Sequence, residues 1–181
     1  MRYVLVLCAV LLCSCNEKVS EKTVEETVGS ETEATLVTTG KEDTKVPIYN
    51  FSELEPLLQK KNDTTYVVNF WATWCKPCIK ELPYFEKVNK EYADKKVKVV
   101  LVSLDFPDIL EKQVIPFIEK RGIQSQVVLL DDPDANGWIP KVSPEWSGAI
   151  PATIIYNNKN RKFYEKAFTQ AELETEIQSI L

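Results

Sequence analysis

Cys75 and Cys78 stand three residues apart in the octapeptide Trp71-Ala72-Thr73-Trp74-Cys75-Lys76-Pro77-Cys78. An apolar, β-branched run precedes them and a helical pattern follows. Two thiols at this spacing can exchange a disulfide with another dithiol. A sulfur at a helix start lies near free backbone N–H groups and the positive end of the helix dipole, which favour the thiolate. The second sulfur is one helical turn on and closes the bond with little backbone movement. Cys75 is therefore expected to attack and Cys78 to resolve. Lys76 adds positive charge beside Cys75, and Pro77 stiffens the first turn where its missing N–H costs little. The competing readings are an inert disulfide and half a zinc site. Zinc takes about four ligands, and the chain has no histidine and no second Cys-x-x-Cys pair, so no metal is expected.

The elements that must position this pair can be read from periodicity and punctuation. Tyr66–Ala72 is a strand with no polar alternation except Asn69, as expected when both sheet faces are covered. A helix follows from Ile79 to about Tyr92. Val97–Leu104 is a second such strand, ending at Asp105. Ile109–Lys120 reads as a helix interrupted or restarted at Pro116, with Gly122 as its terminator. Gln126–Leu130 is a third strand, ending in the turn Asp131-Asp132-Pro133-Asp134. Upstream, Val46–Tyr49 is a short strand, and the spacing of Ser52 and Glu55 predicts a capping box for a helix through Lys60. Downstream, Ala152–Tyr156 and Lys162–Phe168 form an antiparallel hairpin across Asn157-Asn158-Lys159-Asn160. Thr169 caps a terminal helix, with Glu172 completing a second capping box. The order argues an α/β sheet with helices on both faces.

Domain organisation follows from composition. Arg2 and the apolar run Tyr3–Leu12 look like a secretory signal, too short for a membrane-spanning helix of about 20 residues. Leu12-Cys13-Ser14-Cys15 resembles a bacterial lipobox. On that reading residues 1–14 are removed and Cys15 becomes a lipid anchor to a membrane. Of five cysteines in the chain, Cys75 and Cys78 then remain as the only free thiols. An ordinary cleaved signal with incidental cysteines is the alternative. Asn16 to Lys45 carries eight acids against four lysines and nearly no large apolar residue. Such a segment cannot bury enough surface to fold, so residues 15–45 are expected to be a disordered acidic tether, spanning roughly 30 Å. Residues 46–181 are the size of one domain with a single core. Of the chain's net charge of −5, this domain holds about −2, which is no electrostatic footprint for nucleic acid.

Four stretches together resemble a known family: Phe70–Cys78, Glu81-Leu82-Pro83, Val99-Val100-Leu101-Val102-Ser103-Leu104-Asp105 and Gly148-Ala149-Ile150-Pro151-Ala152-Thr153. The domain resembles the TlpA/ResA-type thiol–disulfide oxidoreductases of the bacterial cell envelope. That resemblance implies a thioredoxin fold, with a central mixed sheet and helices on both faces. It also implies that Ile150-Pro151 is a cis peptide beside the cysteines, where Ile150 offers its backbone N–H and C=O to an extended client. Trp74, Lys76, Pro77, Ile150 and Pro151 are the expected client-binding residues, with Trp74 as an apolar shelf. Classical thioredoxins place a buried Asp six residues before the first Cys; Asn69 stands there and cannot titrate. Glu81 matches the carboxylate that the family keeps near the resolving thiol, and is expected to shuttle its proton. Two features depart from the family. Its N-terminal β-hairpin is not evident before Tyr66, and Asn136–Trp146 differs from the usual short connection. That segment is a candidate client surface, although Trp138 and Trp146 are expected to cover a core edge, and Trp71 to pack.

The expectation is an extracytoplasmic, lipid-anchored exchanger on the periplasmic side of the bacterial envelope, reducing protein disulfides without a cofactor. By resemblance its clients include oxidised envelope proteins and apocytochrome c, with electrons from a membrane donor protein. One alternative is a disulfide-donating oxidase using the same residues. Another is a non-enzymatic binding lipoprotein using the Trp138–Trp146 segment. A peroxide reductase would need Pro-x-x-x-Thr-x-x-Cys, and no such pattern leads to Cys75.

Overall fold

The apolar runs become strands buried on both faces, as their lack of alternation requires. The computed structural model describes residues 46–181; the expected signal, Cys15 and the expected acidic tether lie outside the described residues. Strands β1 (Ile48–Tyr49), β2 (Thr65–Trp71), β3 (Val97–Ser103), β4 (Gln126–Leu130), β5 (Ala152–Tyr156) and β6 (Arg161–Tyr164) form one sheet in the order β1-β4-β3-β2-β5-β6. The β1–β4, β4–β3 and β3–β2 pairs are parallel, while β2–β5 and β5–β6 are antiparallel. All seven residues of β2 are buried, and β3 exposes only Lys98. The sheet is mixed, as expected.

Period-two alternation splits the strand side chains between two cores. Val67, Trp71, Val99, Leu101 and Ile155 meet α2 (Lys76–Glu91), α3 (Ile115–Arg121) and α5 (Gln170–Gln178) through Phe85, Val88, Ile118, Leu173 and Ile177. Tyr66, Val68, Phe70, Val100 and Val102 meet α1 (Phe51–Leu54) and α4 (Ala135–Val142) through Leu54 and Trp138. Each fully buried large side chain in these layers contributes about 1.5–3 kcal/mol. Asn69 falls between Val67 and Trp71, so it points into the first core, toward α2.

Several boundaries differ from the sequence expectation, each for a local reason. The first capping box is Asn50–Glu53: Asn50 Oδ1 accepts from Glu53 N at 3.1 Å and Asn50 N donates to Glu53 Oε2 at 2.9 Å. Ser52 donates its hydroxyl to Asn50 Oδ1 instead of capping. The helix is correspondingly short, passing into a 3₁₀ turn at Glu55–Leu58 with Pro56 in its first turn. The active-site helix starts at Lys76 rather than Ile79, directly after Cys75. The stretch expected as Ile109–Lys120 divides into a 3₁₀ turn (Pro107–Ile109), a π turn (Leu110–Val114) and α3. Pro116 sits in the first turn of α3 and Gly122, at φ 64°, ends it. Strand β6 stops at Tyr164, four residues short of Phe168, which turns inward and is 3% exposed. Thr169 and Glu172 form the expected box at α5. Helix α4 occupies part of the segment that differs from the usual short connection. Asp134 caps it by accepting from Gly137 N at 3.1 Å, and it carries Trp138 and Val142 into the second core.

Candidate active site

Strand β2 ends at Trp71, and the chain turns so that Cys75 N donates to Ala72 O at 3.1 Å. Cys75 is then the N-cap of α2, its sulfur accepting from Cys78 N at 3.3 Å. A cap residue sits where backbone N–H groups lack helical partners, so a negative sulfur is stabilised there. Cys75 and Cys78 are joined in a disulfide with their Cα atoms 5.3 Å apart. Cys75 is 5% exposed and Cys78 fully buried, so an incoming sulfur reaches Cys75 first. The side chain of Trp74 is exposed, as are Lys76 and Pro77.

The turn is anchored by a residue whose role the motifs did not reveal. Asp105, just past β3 and 2% exposed, accepts from Thr73 N at 2.9 Å and from Thr73 Oγ1 at 2.6 Å. Ser103 Oγ donates to it at 2.8 Å, and Leu104 N donates to Trp71 O at 2.8 Å. Gln113 Nε2 donates to Thr73 Oγ1 at 2.6 Å. The only hint in the sequence was an acid closing the strand parallel to β2.

On the other flank, Ile150-Pro151 is a cis peptide bond. The carbonyl oxygen of Ile150 lies 3.8 Å from Cys75 Sγ. The approach to this loop needs glycine: Gly148 has φ 92°, and a Cβ there would meet Ile139 Cδ1 at 3.0 Å. Trp146 holds the loop by donating Nε1 to Ala149 O at 2.8 Å, with its ring centroid 4.7 Å from that of Phe70. Trp138 and Trp146 are 7% and 5% exposed, so both cover the second core, as expected. Trp71 is fully buried and packs against Phe117.

Behind the disulfide, Glu81 follows Cys78 by three residues on the same face of α2 and is 1% exposed. Asn69 Nδ2 donates to Glu81 Oε1 at 3.0 Å, and Phe168 N donates to Oε2 at 2.6 Å. Asn69 Nδ2 also reaches Thr153 Oγ1 at 3.1 Å, next to the cis-proline strand start. Burial pushes the Glu81 carboxyl up to about 7, against the pull of the Phe168 N–H and the Asn69 amide. A carboxyl titrating near neutrality suits proton transfer at physiological pH. A cavity of about 270 Å³, lined by Pro77, Lys80, Glu81, Tyr84, Phe168 and Thr169 among others, opens on this carboxyl. A larger cavity of about 500 Å³ around Val46, Ile118, Gly122 and Val127 contains none of these site residues, so geometry at the sulfurs, not cavity size, marks the site.

Residues 44–161 match the model of the AhpC/TSA family. The thioredoxin-like protein YneN of Bacillus subtilis is 40% identical over 87 residues, which is 42% of this chain and 51% of that protein. The thiol-disulfide oxidoreductase ResA of Geobacillus thermodenitrificans is 27% identical over 155 residues, covering 82% of each. Across the first curated relatives it matches, the chain spans between 26% and 51% of their length. Among solved structures, StoA from Bacillus subtilis superposes with a TM-score of 0.51 at 27% identity, covering 65% of this chain and 84% of that one. A DsbF homologue from Corynebacterium diphtheriae gives 0.55 at 21% identity over 66% of this chain and 73% of that one, a likeness of fold. The architecture is thioredoxin-like.

Proposed function

The chain belongs to the AhpC/TSA family, and from that premise we propose that it is a thiol–disulfide oxidoreductase working through Cys75 and Cys78. The observation that carries this is the graded pair itself: a disulfide whose capping sulfur reaches the surface and whose partner is buried beside a carboxyl of raised pKa.

In the reducing direction the Cys75 thiolate attacks a client disulfide. A Cys75–client bond forms, the client S–S bond breaks, and one client sulfur leaves as thiolate. Cys78 gives its proton to ionised Glu81 and attacks Cys75 Sγ. The mixed disulfide breaks, the second client sulfur leaves, and Cys75–Cys78 is the oxidised product. Two electrons have passed to the client, so a dithiol donor must restore the pair. The client lies in extended form along Ile150, pairing with its backbone as an added strand, while Trp74, Lys76, Pro77 and Pro151 border the reacting sulfur.

The setting we propose is the extracytoplasmic face of a bacterial membrane. Cys15 is the lipid anchor and residues 15–45 the tether, and the support for this is the leader pattern of residues 1–14. Clients are oxidised envelope proteins, apocytochrome c among them by resemblance, and the electron donor is a membrane dithiol protein. Burial of Trp138 and Trp146 disfavours a binding protein built on that segment.

The reduction potential of the Cys75–Cys78 pair, equilibrated against glutathione in residues 46–181, tests the direction. A value near about −270 mV or below is expected of a reductase. A value near about −120 mV would make the protein a disulfide donor instead.

A further inference from the structure

Among the described residues three large apolar side chains stand in solvent: Trp74 at 59%, Phe106 at 71% and Leu181 at 55% exposure. Leu181 is the last residue. Trp74 directly precedes Cys75, and a large apolar side chain left in solvent beside a reactive sulfur marks a contact surface rather than chance.

Phe106 directly follows Asp105, and Asp105 holds Thr73, the residue before Trp74. One hydrogen-bonded pair therefore ties the backbone next to Trp74 to the backbone next to Phe106. The backbone around Phe106 is also pinned. Asp105 N donates to Ser103 Oγ at 3.2 Å, and Ile109 N donates to Phe106 O at 3.2 Å. Pro107 opens the 3₁₀ turn that follows. A ring left in water on a fixed backbone loses little entropy when it is covered, which favours binding.

Topology places this ring opposite the cis-proline loop. Strands β3 and β5 flank β2, with β3 finishing and β5 beginning at the end where β2 delivers the cysteines. Ile150 and Phe106 thus stand on either side of Cys75. Strands two apart are separated by about 10 Å, the reach of roughly three extended residues.

We propose that Phe106 and Trp74 form an apolar docking strip for an extended client polypeptide that carries a large apolar side chain within about three residues of the attacked cysteine. Trp74 directly precedes Cys75, whose sulfur any client must reach, which is why a client segment is its occupant. The inference rests on the exchange activity proposed above and adds a preference for particular clients.

The test compares three oxidised substrates with the purified protein, kept in the dithiol form by dithiothreitol as the two-electron donor, with the uncatalysed reaction of dithiothreitol on each substrate subtracted. Two are cystine peptides differing only in Phe or Ser two residues from the cysteine, and the third is oxidised glutathione. Wild type should favour the Phe peptide by about tenfold in kcat/KM, within the range that burying one aromatic side chain allows. Phe106→Ser should abolish that preference through KM, leaving glutathione exchange and the reduction potential unchanged. Phe106→Leu should keep most of the preference. Undiminished discrimination in Phe106→Ser, or an equal loss on all three substrates, would overturn the strip. Wild type inactive on all three would overturn the exchange reading itself, a separate and recognisable result.

Discussion

Asn69 on β2 donates its amide to the carboxylate of Glu81 on α2 at 3.0 Å, with both side chains removed from solvent. The buried layer beside Cys78 thus pairs one ionisable group with one that cannot titrate. Two coupled carboxylates would take up protons in two steps; this pair takes up one proton at one midpoint.

That midpoint gives a pH signature. Glu81 titrates at about 7 in the folded protein against 4.5 unperturbed. A folded pKa raised in this way contributes stability that is complete below the unfolded value and lost as pH rises through the folded one. Wild type should therefore lose up to about 3 kcal/mol of unfolding free energy between about pH 5 and pH 8. Glu81→Gln should flatten that loss and slow resolution by Cys78 about 100-fold. Urea melts at both pH values and stopped-flow tryptophan fluorescence measure the two effects. Parallel stability profiles in the two proteins would remove Glu81 as the titrating group.

The order of attack is tested by trapping. Cys78→Ser should accumulate a mixed disulfide between Cys75 and a client, visible on a non-reducing gel and by intact mass. Cys75→Ser should form none and show no exchange. Trapping by the Cys75→Ser protein would reverse the assignment of the two sulfurs.

Asp105→Ala strands the half-buried Thr73 N–H and the buried Ser103 hydroxyl, which otherwise donate to its carboxylate. Unsatisfied donors of this kind cost about 1–3 kcal/mol each. The expected loss is about 2–5 kcal/mol in chemical denaturation, with slower exchange because the Thr73–Trp74 turn is released. Asp105→Asn keeps one acceptor oxygen and should lose about half as much. A stability loss in Asp105→Ala with exchange at the wild-type rate would limit Asp105 to a folding role.

Gly148→Ala tests the approach to the cis-proline loop. Alanine is disfavoured at φ 92°, and its Cβ would press on Ile139 at 3.0 Å. The expected loss is about 1–3 kcal/mol, together with a raised KM for protein clients. An unchanged melting temperature would mean that the loop relaxes without cost.

Much of this was legible because the signals were local. Tyr66 to Trp71 and, past the exposed Lys98, Val99 to Ser103 are too continuously apolar to face water on either side, and Thr169 with Glu172 marks a helix start without any tertiary information. The same local logic misplaced the first cap, because Asn50–Glu53 has the spacing of Ser52–Glu55 two residues earlier and wins through the Asn50 side chain. Helix α4 has no local signature, because Gly137 and Pro140 are poor helix formers, while its reason for being helical is the burial of Trp138 and Val142. The role of Asp105 was out of reach for another reason. Its partner Thr73 lies 32 residues away, and only the parallel register of β2 and β3 brings the two together.

The Phe168 N–H bonded to Glu81 carries a consequence for the order in which the molecule becomes competent. Synthesis delivers both cysteines and Glu81 roughly ninety residues before Phe168, and α5 comes later still. Until that final segment docks, the carboxyl faces water and ionises like any surface acid. A nascent or C-terminally clipped chain would hold the cysteine motif without the tuned proton acceptor behind it. A mixed disulfide formed at Cys75 before that docking would be resolved slowly and would persist, so the contact of the Phe168 N–H with Glu81 sets when the protein can let go of a client.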